Sequence, residues 1–222
     1  MCGRFGQYRT PHRYAEQLGL PIPPIEAAKR FNVSPRSRCI VIHSVDDQLR
    51  FDRMARGYTP HWANKRTPVI NARIENAATR PYFRGIWKTG RCLVPADSWY
   101  EWKRIPETTA KQPYLIRLRS DEPMFFACIG QFTGAENDGF VIITANSEEG
   151  MVDIHDRRPI VLGPDAAQEW LTPTLPAPLA EDLAIHHSTP TSAFEWYAID
   201  KAIGNVRNEG EHLIERQQHP SL

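Results

Sequence analysis

The sequence predicts a single α+β domain with a β-rich core, and three observations support this. The 222 residues, 41% of them hydrophobic, can bury one full core, and no Gly/Ser-rich or charged linker divides them. Short apolar runs typical of strands recur along the chain. Only a few segments have the caps and lengths of helices. We therefore expect one domain over residues 1–222, with an irregular tail after about residue 210.

Strands are expected where apolar and β-branched residues recur between turn signals. Met124–Phe132 is almost continuously apolar, which predicts a central strand. Asp46-Asp47 predicts a hairpin turn. The predicted strands are Arg4–Tyr8, Cys39–His43, Leu49–Arg56, Val69–Arg73, Arg91–Pro95, Ser98–Lys103, Pro113–Leu118, Met124–Phe132 and Phe140–Ala145, and order resumes at Trp196–Ile199 after a Pro/Thr-rich stretch.

Helices are expected where cap and proline signals precede a run without glycine or proline. Thr10 suits the N-cap and Pro11 the first turn of a helix that ends near Leu20. Residues 172–194 should contain a helix with irregular flanks. Further helices are predicted to begin at Asn76, to cover Tyr82–Lys88, which Gly90 ends, and to run from Pro164 or Asp165 to Leu171.

The formal net charge of +1 conceals a strong segregation of charge. Residues 1–120 contain 22 Lys+Arg and 9 Asp+Glu, whereas residues 121–222 contain 5 and 17. Arginine supplies 21 of the 27 basic residues, and its planar guanidinium binds phosphate oxygens and stacks on bases. One interpretation is a nucleic-acid-binding face built mainly from the first half. The other is that the two halves interleave in space and neutralise each other.

Composition also bears on compartment and on metals. The N-terminus lacks the apolar run of a signal peptide, and no stretch approaches the roughly 18 apolar residues of a membrane span, so an intracellular protein is expected. The four cysteines form no C-x-x-C pair and no zinc-like spacing, so we expect no metal and no cofactor. Cys39, Cys92 and Cys128 are expected to be small buried hydrophobic residues.

Residue 2 is a cysteine, and this position gives it a special chemistry. Loss of Met1 would leave Cys2 with a thiol and a free α-amine on adjacent carbons. An α-amine has a pKa of about 7.7 to 8.0, so a useful fraction is unprotonated near neutral pH and can attack an aldehyde. The thiol can then add to the resulting imine and form a thiazolidine ring. Most Met-Cys starts have no such role, so this interpretation depends on the rest of the chain.

Four polar residues, in three segments of the chain, are candidates for partners of that chemistry. Asn71 and Arg73 alternate with apolar residues of a strand and should share one face. Glu101 lies between Tyr100 and Trp102: if buried, desolvation raises its pKa and suits it to proton transfer; at a solvated strand edge it is only a surface carboxylate. His155 has carboxylates at positions 153 and 156, which favours either a raised pKa and general-acid chemistry or a salt-bridged turn.

The loop Tyr58–Trp62 is rich in aromatic and rigid residues and is followed by Lys65 and Arg66. Trp62 could fold back onto the core. Alternatively, its ring could remain exposed beside these cations and stack on a nucleic-acid base.

Six motifs in order along the chain resemble those of the SOS response-associated peptidase (SRAP) family, and they extend from Cys2 to about Val206. The motifs are Met1-Cys2-Gly3-Arg4-Phe5, Asn32-Val33-Ser34-Pro35, Ile70-Asn71-Ala72-Arg73-Ile74-Glu75, Trp99-Tyr100-Glu101-Trp102-Lys103, Ile154-His155-Asp156-Arg157-Arg158-Pro159 and Gly204-Asn205-Val206. The resemblance implies a mixed α+β fold around a strongly bent sheet or barrel-like core.

The resemblance also implies a function: a monomeric, cytoplasmic sensor of abasic sites in single-stranded DNA that traps the sugar aldehyde as a thiazolidine and is nucleoid-associated when bound to DNA. Carried over to this sequence, Cys2 would be the nucleophile, and Asn71 would position its amine and the sugar. Glu101 would shuttle protons, and His155 would protonate the sugar ring oxygen or assist reversal. The implied DNA contacts are Arg4, Arg73 and Arg157 to phosphates, Pro35 and Trp62 near bases, and Thr144.

One departure and two alternatives accompany this resemblance. Bacterial relatives often carry two adjacent tryptophans where this chain has Trp62-Ala63, which puts stacking and junction preference at that edge in doubt. The family name records a peptidase activity, which self-removal of Met1 would satisfy. The alternatives are a non-covalent binder of single-stranded or modified-base DNA and an N-terminal-nucleophile peptidase that acts on other proteins.

Overall fold

Two β-sheets and five short helices make up the part of the chain that this computed structural model describes, residues 2–46, 48–63 and 66–217. The strands are β1 (Arg4–Gln7), β2 (Arg30–Val33), β3 (Arg38–Val45), β4 (Gln48–Arg56), β5 (Asn71–Arg73), β6 (Arg91–Ala96), β7 (Ser98–Arg104), β8 (Lys111–Leu118), β9 (Met124–Gln131), β10 (Gly139–Asn146), β11 (Arg157–Pro159), β12 (Val161–Leu162) and β13 (Phe194–Ala198). The helices are α1 (Pro11–Gln17), α2 (Ile74–Ala77), α3 (Arg84–Thr89), α4 (Pro164–Leu171) and α5 (Ala177–His186).

Five strands of the larger sheet close into a barrel. Strand β4 pairs with β3, β3 with β6, β6 with β9 and β9 with β10, and β10 returns to β4 as a parallel neighbour. A Cβ atom on Gly139, at this closure, would clash with the carbonyl oxygen of Gly57. The backbones can therefore approach only because residue 139 has no side chain. The predicted α+β fold with a barrel-like core is confirmed.

The smaller sheet brings the N-terminus into the middle of the fold. Its strand order is β13-β8-β7-β1-β2, so β1 lies between β7 and β2. Arg4 pairs with Tyr100 and Phe5 with Trp99 in the antiparallel register of β1 and β7. This register places the residues just before Arg4 beside the residues just after Tyr100.

The larger sheet is apolar on both faces, because each face covers a different layer. Along β9, Phe126 and Cys128 pack in a cluster with Phe5 and Trp99 of the smaller sheet. The alternate residues Ala127 and Ile129 pack with side chains of the helices. Two-sided burial explains the continuous apolar run, and the predicted central position of this strand is confirmed, since β9 pairs with β6, β10 and β12.

Most segment predictions are confirmed, with small shifts at their ends. The Thr10 side chain accepts a hydrogen bond from the Arg13 amide (3.3 Å) and caps α1 as expected. The sequence analysis missed β2, since proline and alanine residues precede it and no alternation marks it. The predicted turn at Asp46-Asp47 includes Asp47, which lies outside the described residues, as do Met1 and Lys65. None of the described helices is long and apolar enough to cross a membrane.

The two oppositely charged halves of the chain meet in space. Ion pairs join Arg13 to Glu122, Arg30 to Glu209 and Arg117 to Glu195. Arg9 binds Asp97 within its own half and Asp121 in the other. Part of the charge segregation is therefore neutralised on folding, as the second of the two interpretations predicted.

Candidate active site

Cys2 immediately precedes β1 and is held by two side chains from distant parts of the chain. Its side chain is 0% exposed. Its carbonyl oxygen accepts hydrogen bonds from Nη2 of Arg56 (2.5 Å) and from Nδ2 of Asn71 (3.2 Å). Arg56 also donates from Nη1 to the carbonyl oxygen of Gly3 (2.6 Å). The backbone at the beginning of the chain is thus fixed from β4 and from β5.

The thiol of Cys2 is protonated at neutral pH. Burial raises its pKa to about 12, although the nearby charge of Arg56 acts in the opposite direction. A nucleophilic thiolate is therefore not pre-formed in this structure. Chemistry at Cys2 that begins with sulfur would first need a base.

Asn71 lies at the start of β5, a three-residue strand that pairs in parallel with β10. Ala72 is buried and Arg73 is exposed, which is the alternation that the sequence predicted. The Oδ1 atom of Asn71 is buried and has no hydrogen-bond partner among the described residues. A buried amide oxygen without a donor is costly, and a ligand or a new N–H group at this point would satisfy it.

Glu101 occupies the middle of β7 and is buried, with 3% of its surface exposed. Desolvation raises the pKa of its carboxyl group to about 8, outweighing nearby positive charges, including that of Arg56. Of the two alternatives for Glu101, a buried carboxyl group is therefore correct, and a surface carboxylate at a solvated strand edge is wrong. A carboxyl group with this pKa can donate or accept a proton near neutral pH.

His155 follows a short 3-10 turn, Glu149–Asp153, and approaches Glu101 from another part of the chain. The Nε2 atom of His155 lies 3.9 Å from Oε2 of Glu101. The pKa of His155 is lowered, because partial burial outweighs the attraction of Asp156. The raised pKa suggested by the local sequence is wrong, since neighbouring carboxylates were visible in the sequence and burial was not.

The other ring nitrogen of His155 contacts both a donor and an acceptor. The backbone N–H of Arg157 donates to Nδ1 (3.0 Å), and Oδ1 of Asp156 lies 2.8 Å from the same atom. The first contact requires a bare Nδ1 and the second a protonated one. The neutral ring therefore uses Arg157 and carries its proton on Nε2, towards Glu101, whereas the charged ring can bind Asp156.

Arg157 is a buried arginine whose hydrogen bonds connect the segments around the site. Its guanidinium donates to both carboxylate oxygens of Glu75 (2.5 and 3.0 Å), to Oδ1 of Asn146 (2.5 Å) and to the carbonyl oxygen of Thr144 (2.6 Å). The hydroxyl of Thr144 in turn donates to the carbonyl of Ala72 (3.4 Å). These contacts tie α2, β5, β10 and the His155 loop together, with Arg157 only 5% exposed.

Arg4 is also engaged by the protein. Its guanidinium donates to the carbonyl oxygens of Ile203 and Gly204, the latter at 2.7 Å, and lies 5.0 Å from the centre of the Trp102 ring. The side chain of Asn32 donates to the carbonyls of Ile203, Asn205 and Asn208 at 3.0 to 3.2 Å. The motifs at Asn32 and Gly204 thus meet in space and support the N-terminal strand.

Three of the predicted DNA contacts lie on the surface. Trp62 is 57% exposed and contacts Tyr82 edge-on, with 5.9 Å between ring centres, so its ring is not folded into the core. Pro35 is exposed and precedes Arg36, whose φ of 68° gives a sharp turn. Arg73 is exposed and forms no ion pair with any residue that the structure describes. Arg73 is therefore the predicted phosphate contact whose guanidinium is most available.

Sequence reasoning missed three residues that hold this site together. Asn32 and Glu75 occur inside motifs but received no role. Arg56 received none either, because a cation at the end of a predicted strand looks like a solvated residue. Its partner Cys2 lies 54 positions earlier in the chain, and only the fold brings the two together. Among the described residues, no group of three or more His, Cys, Asp or Glu side chains has the arrangement of a metal site.

Comparison with known proteins gives the family. The sequence model of the SOS response associated peptidase (SRAP) family matches residues 1–206. This chain belongs to the SRAP family. The abasic site processing protein YedK of Escherichia coli is 40% identical to it over 223 residues, covering 97% of this chain and 99% of YedK. The abasic site processing protein HMCES of Pongo abelii is 26% identical, over 92% of this chain and 66% of HMCES.

A solved structure agrees with this assignment. The crystal structure of a phage-related protein of Bordetella bronchiseptica superposes with a TM-score of 0.79 at 37% identity, covering 90% of this chain and 95% of that one. The SRAP resemblance drawn from six motifs is thereby confirmed, and so is the fold that it implied. In this SRAP chain the predicted catalytic residues Cys2, Asn71, Glu101 and His155 come from four separate segments and meet at one place.

Proposed function

We propose that this protein traps abasic sites in single-stranded DNA as a covalent thiazolidine through Cys2 after loss of Met1, and so shields the lesion. The observation that carries the proposal is the surroundings of Cys2: Asn71 is hydrogen-bonded to its carbonyl, and the Glu101–His155 pair lies beside it. The names of its relatives, abasic site processing proteins, agree with a substrate that presents an aldehyde.

The first bond is made by the amine, because the thiol of Cys2 is protonated. The nitrogen lone pair adds to carbon C1′ of the ring-opened sugar, and the carbonyl oxygen takes up a proton, giving a carbinolamine. This intermediate loses its hydroxyl group as water after a second proton transfer and becomes an imine. The amine must be unprotonated for this addition, which the ordinary pKa of an α-amine allows near neutral pH.

The thiol makes the second bond. Sulfur adds to the imine carbon, the thiol proton leaves, and the imine nitrogen takes up a proton, so the overall reaction of aldehyde and aminothiol releases one molecule of water. Removing the proton from a buried thiol with a pKa of about 12 requires a nearby base. The ionised form of Glu101 can accept it, and so can a neutral His155 in the tautomer whose Nε2 carries no proton.

Glu101 and His155 divide the proton transfers between them. The protonated carboxyl of Glu101 donates to the leaving hydroxyl, which suits a pKa of about 8. The protonated form of His155, whose Nε2–H faces Glu101, protonates the sugar ring oxygen when the ring opens, and its lowered pKa makes it a stronger acid. The unsatisfied Oδ1 atom of Asn71 accepts an N–H of the amine and orients its lone pair towards the sugar. Glu101 and His155 would also serve the hydrolysis that removes Met1, so that the chain processes itself.

The DNA strand is held by charge and by aromatic contact. The exposed guanidinium of Arg73, on the same strand as Asn71, supplies a phosphate contact beside the reacting sugar. Pro35 and the exposed ring of Trp62 contact bases. Arg4, Arg157 and Thr144 were predicted to contact DNA, and here their bonds to the protein support a second role in fixing the site.

Arg73→Ala should weaken DNA binding and make it less salt-dependent, because one released counterion per phosphate contact is lost. The slope of log affinity against log salt should become shallower by about 0.7 for a single strand. Titrations of fluorescent single-stranded DNA at several salt concentrations measure this slope. Lys88→Ala, which removes an exposed charge from α3 on the helical side of the barrel, is the matched control. An Arg73→Ala slope equal to that of the wild-type protein removes Arg73 from the phosphate contacts.

Intact mass spectrometry tests the proposed function most directly. The purified protein is weighed before and after incubation with single-stranded DNA that carries one abasic site. We expect a protein that lacks Met1, followed by a heat-stable product that contains protein and DNA and is lighter than their sum by one water. A processed protein that binds this DNA and forms no such product would be a non-covalent binder, and the roles given to Asn71, Glu101 and His155 would be withdrawn.

A further inference from the structure

Arg56 is a buried arginine whose position is fixed on both sides by backbone contacts. It is the last residue of β4 and is 0% exposed. Its amide donates to the carbonyl of Ser37 (2.9 Å), and its carbonyl accepts from the amide of Arg36 (2.8 Å). The direction of its side chain is therefore set by the barrel rather than by the N-terminal segment that it contacts.

The guanidinium of Arg56 binds carbonyl groups and a ring instead of a carboxylate. It donates to the carbonyls of Cys2 (2.5 Å) and Gly3 (2.6 Å) and lies 5.2 Å from the centre of the Phe5 ring. No carboxylate within the described ranges forms a salt bridge with it, and its Nε atom has no hydrogen-bond partner there. Burying a cation without a counter-ion is unfavourable, so an apolar side chain of similar volume would serve the packing better.

We propose that Arg56 is the positioning residue of the N-terminal nucleophile: it holds the carbonyls of Cys2 and Gly3 so that the amine and thiol of Cys2 face Asn71 and Glu101. This inference rests on the proposed function of Cys2. Two parallel bonds from one planar guanidinium fix both the place and the direction of the backbone. Asn71 fixes the same carbonyl of Cys2 from β5.

The charge of Arg56 adds to this effect, because a nearby cation opposes protonation of an amine. Other titratable groups also face Cys2. Burial raises the pKa of Glu101 to about 8 and that of Cys128 well above its usual range, and it lowers the pKa of His155. All three are therefore mainly neutral at pH 7, and Asp156 is exposed to solvent. Among the charges that act on Cys2, that of Arg56 has the largest effect, and a cation there keeps the lone pair of the amine available.

Two substitutions of Arg56 distinguish the effect of its hydrogen bonds on the position of Cys2 from the effect of its charge on the amine. Arg56→Met keeps most of the volume and removes both the donors and the charge, whereas Arg56→Lys keeps the charge and loses the planar pair of donors. Arg91→Met is the matched control, since Arg91 is another buried arginine, and it donates to the carbonyls of Trp170, Thr172 and Leu175 away from the site. Every protein is produced behind a protease site that leaves Cys2 as the first residue, and mass spectrometry verifies this.

The rate of thiazolidine formation with glyceraldehyde, measured from pH 5 to 9, reports the reactivity of Cys2 in the absence of DNA. We expect Arg56→Met to react at least about tenfold more slowly at pH 7, with the midpoint of its pH–rate profile raised by about one unit, since one pKa unit corresponds to a factor of ten. Arg56→Lys should keep the midpoint of the wild-type protein and react more slowly. Arg91→Met should change neither quantity, and binding of undamaged single-stranded DNA should be the same in all four proteins.

The inference would be overturned if Arg56→Met forms the thiazolidine at the wild-type rate and with the wild-type midpoint of the pH–rate profile. It would also be overturned if Arg56→Met has a lower melting temperature or binds DNA more weakly while its pH–rate profile is unchanged. If Arg56→Met does not fold, Arg56→Lys decides alone, because a wild-type rate in that variant shows that the two bonds are not needed. Failure of the proposed function is recognised separately: the wild-type protein would react with glyceraldehyde and form no adduct with abasic DNA.

Discussion

Cys2→Ala will abolish the heat-stable adduct with abasic single-stranded DNA and leave the weaker, salt-sensitive binding intact. Alanine still offers an α-amine after loss of Met1, so an imine can form, but no sulfur is present to close the ring. The imine hydrolyses during denaturation. Loss of one buried sulfur atom should cost about 1 kcal/mol of folding free energy, too little to unfold a typical domain.

Cys2→Ser is the control that isolates the sulfur. It keeps a polar atom of similar size at the same position and, like alanine, should give no heat-stable product. Treatment with cyanoborohydride reduces the imine to a secondary amine, and both variants should then be trapped on the DNA. Denaturing gels with and without the reductant measure this. A heat-stable adduct of Cys2→Ala without reductant would show that the linkage does not contain sulfur.

The sequence predicted best the features that local residues decide. Thr10 and Pro11 determine where α1 begins, and a two-sided apolar run determines that β9 is central. The Asn71–Arg73 alternation needed only the period of a strand. Recognition of Cys2 as a 1,2-aminothiol needed only its position and the chemistry of an N-terminal cysteine.

Features that depend on distant residues were not predictable in the same way. A raised pKa was one of the two interpretations of His155, and it is wrong because burial by the fold outweighs the neighbouring carboxylate of Asp156. Arg157 was expected only to contact a phosphate, and its burial against Glu75, 82 positions earlier, was not predicted. Arg56 reaches Cys2 only because the barrel and the smaller sheet pack together. In each case the missing quantity is desolvation or a long-range contact, and neither follows from spacing.

Glu101→Gln should slow crosslinking by about 10² or more and change the affinity for undamaged single-stranded DNA by less than twofold, since proton transfer by a positioned group contributes about 10² to 10⁴. Glutamine retains the shape and hydrogen bonds of the carboxyl but cannot transfer a proton. The wild-type rate should also fall as pH rises through about 8, where Glu101 ionises, and this fall should be absent in the variant. Single-turnover crosslinking rates from pH 6 to 9 measure both effects.

Glu107→Gln makes the same substitution in the exposed turn after β7 and is the matched control. It should crosslink at the wild-type rate. Equal losses of crosslinking and of DNA affinity in Glu101→Gln would assign Glu101 to holding DNA rather than to proton transfer.

Glu101→Gln should also stabilise the folded protein, and the size of this stabilisation should depend on pH. The pKa of Glu101 is raised from 4.5 to about 8 in the folded state, so the unfolded chain ionises it first. The stability of the wild-type protein that depends on this group is therefore fully present below about pH 4.5 and is lost progressively until about pH 8. Glutamine does not ionise, so the melting temperature of Glu101→Gln relative to the wild-type protein should rise between pH 5 and 8.5. A difference in melting temperature that stays constant from pH 5 to 8.5 would mean that Glu101 is ionised in the folded protein. An ionised Glu101 could accept protons but could not donate one to the leaving hydroxyl.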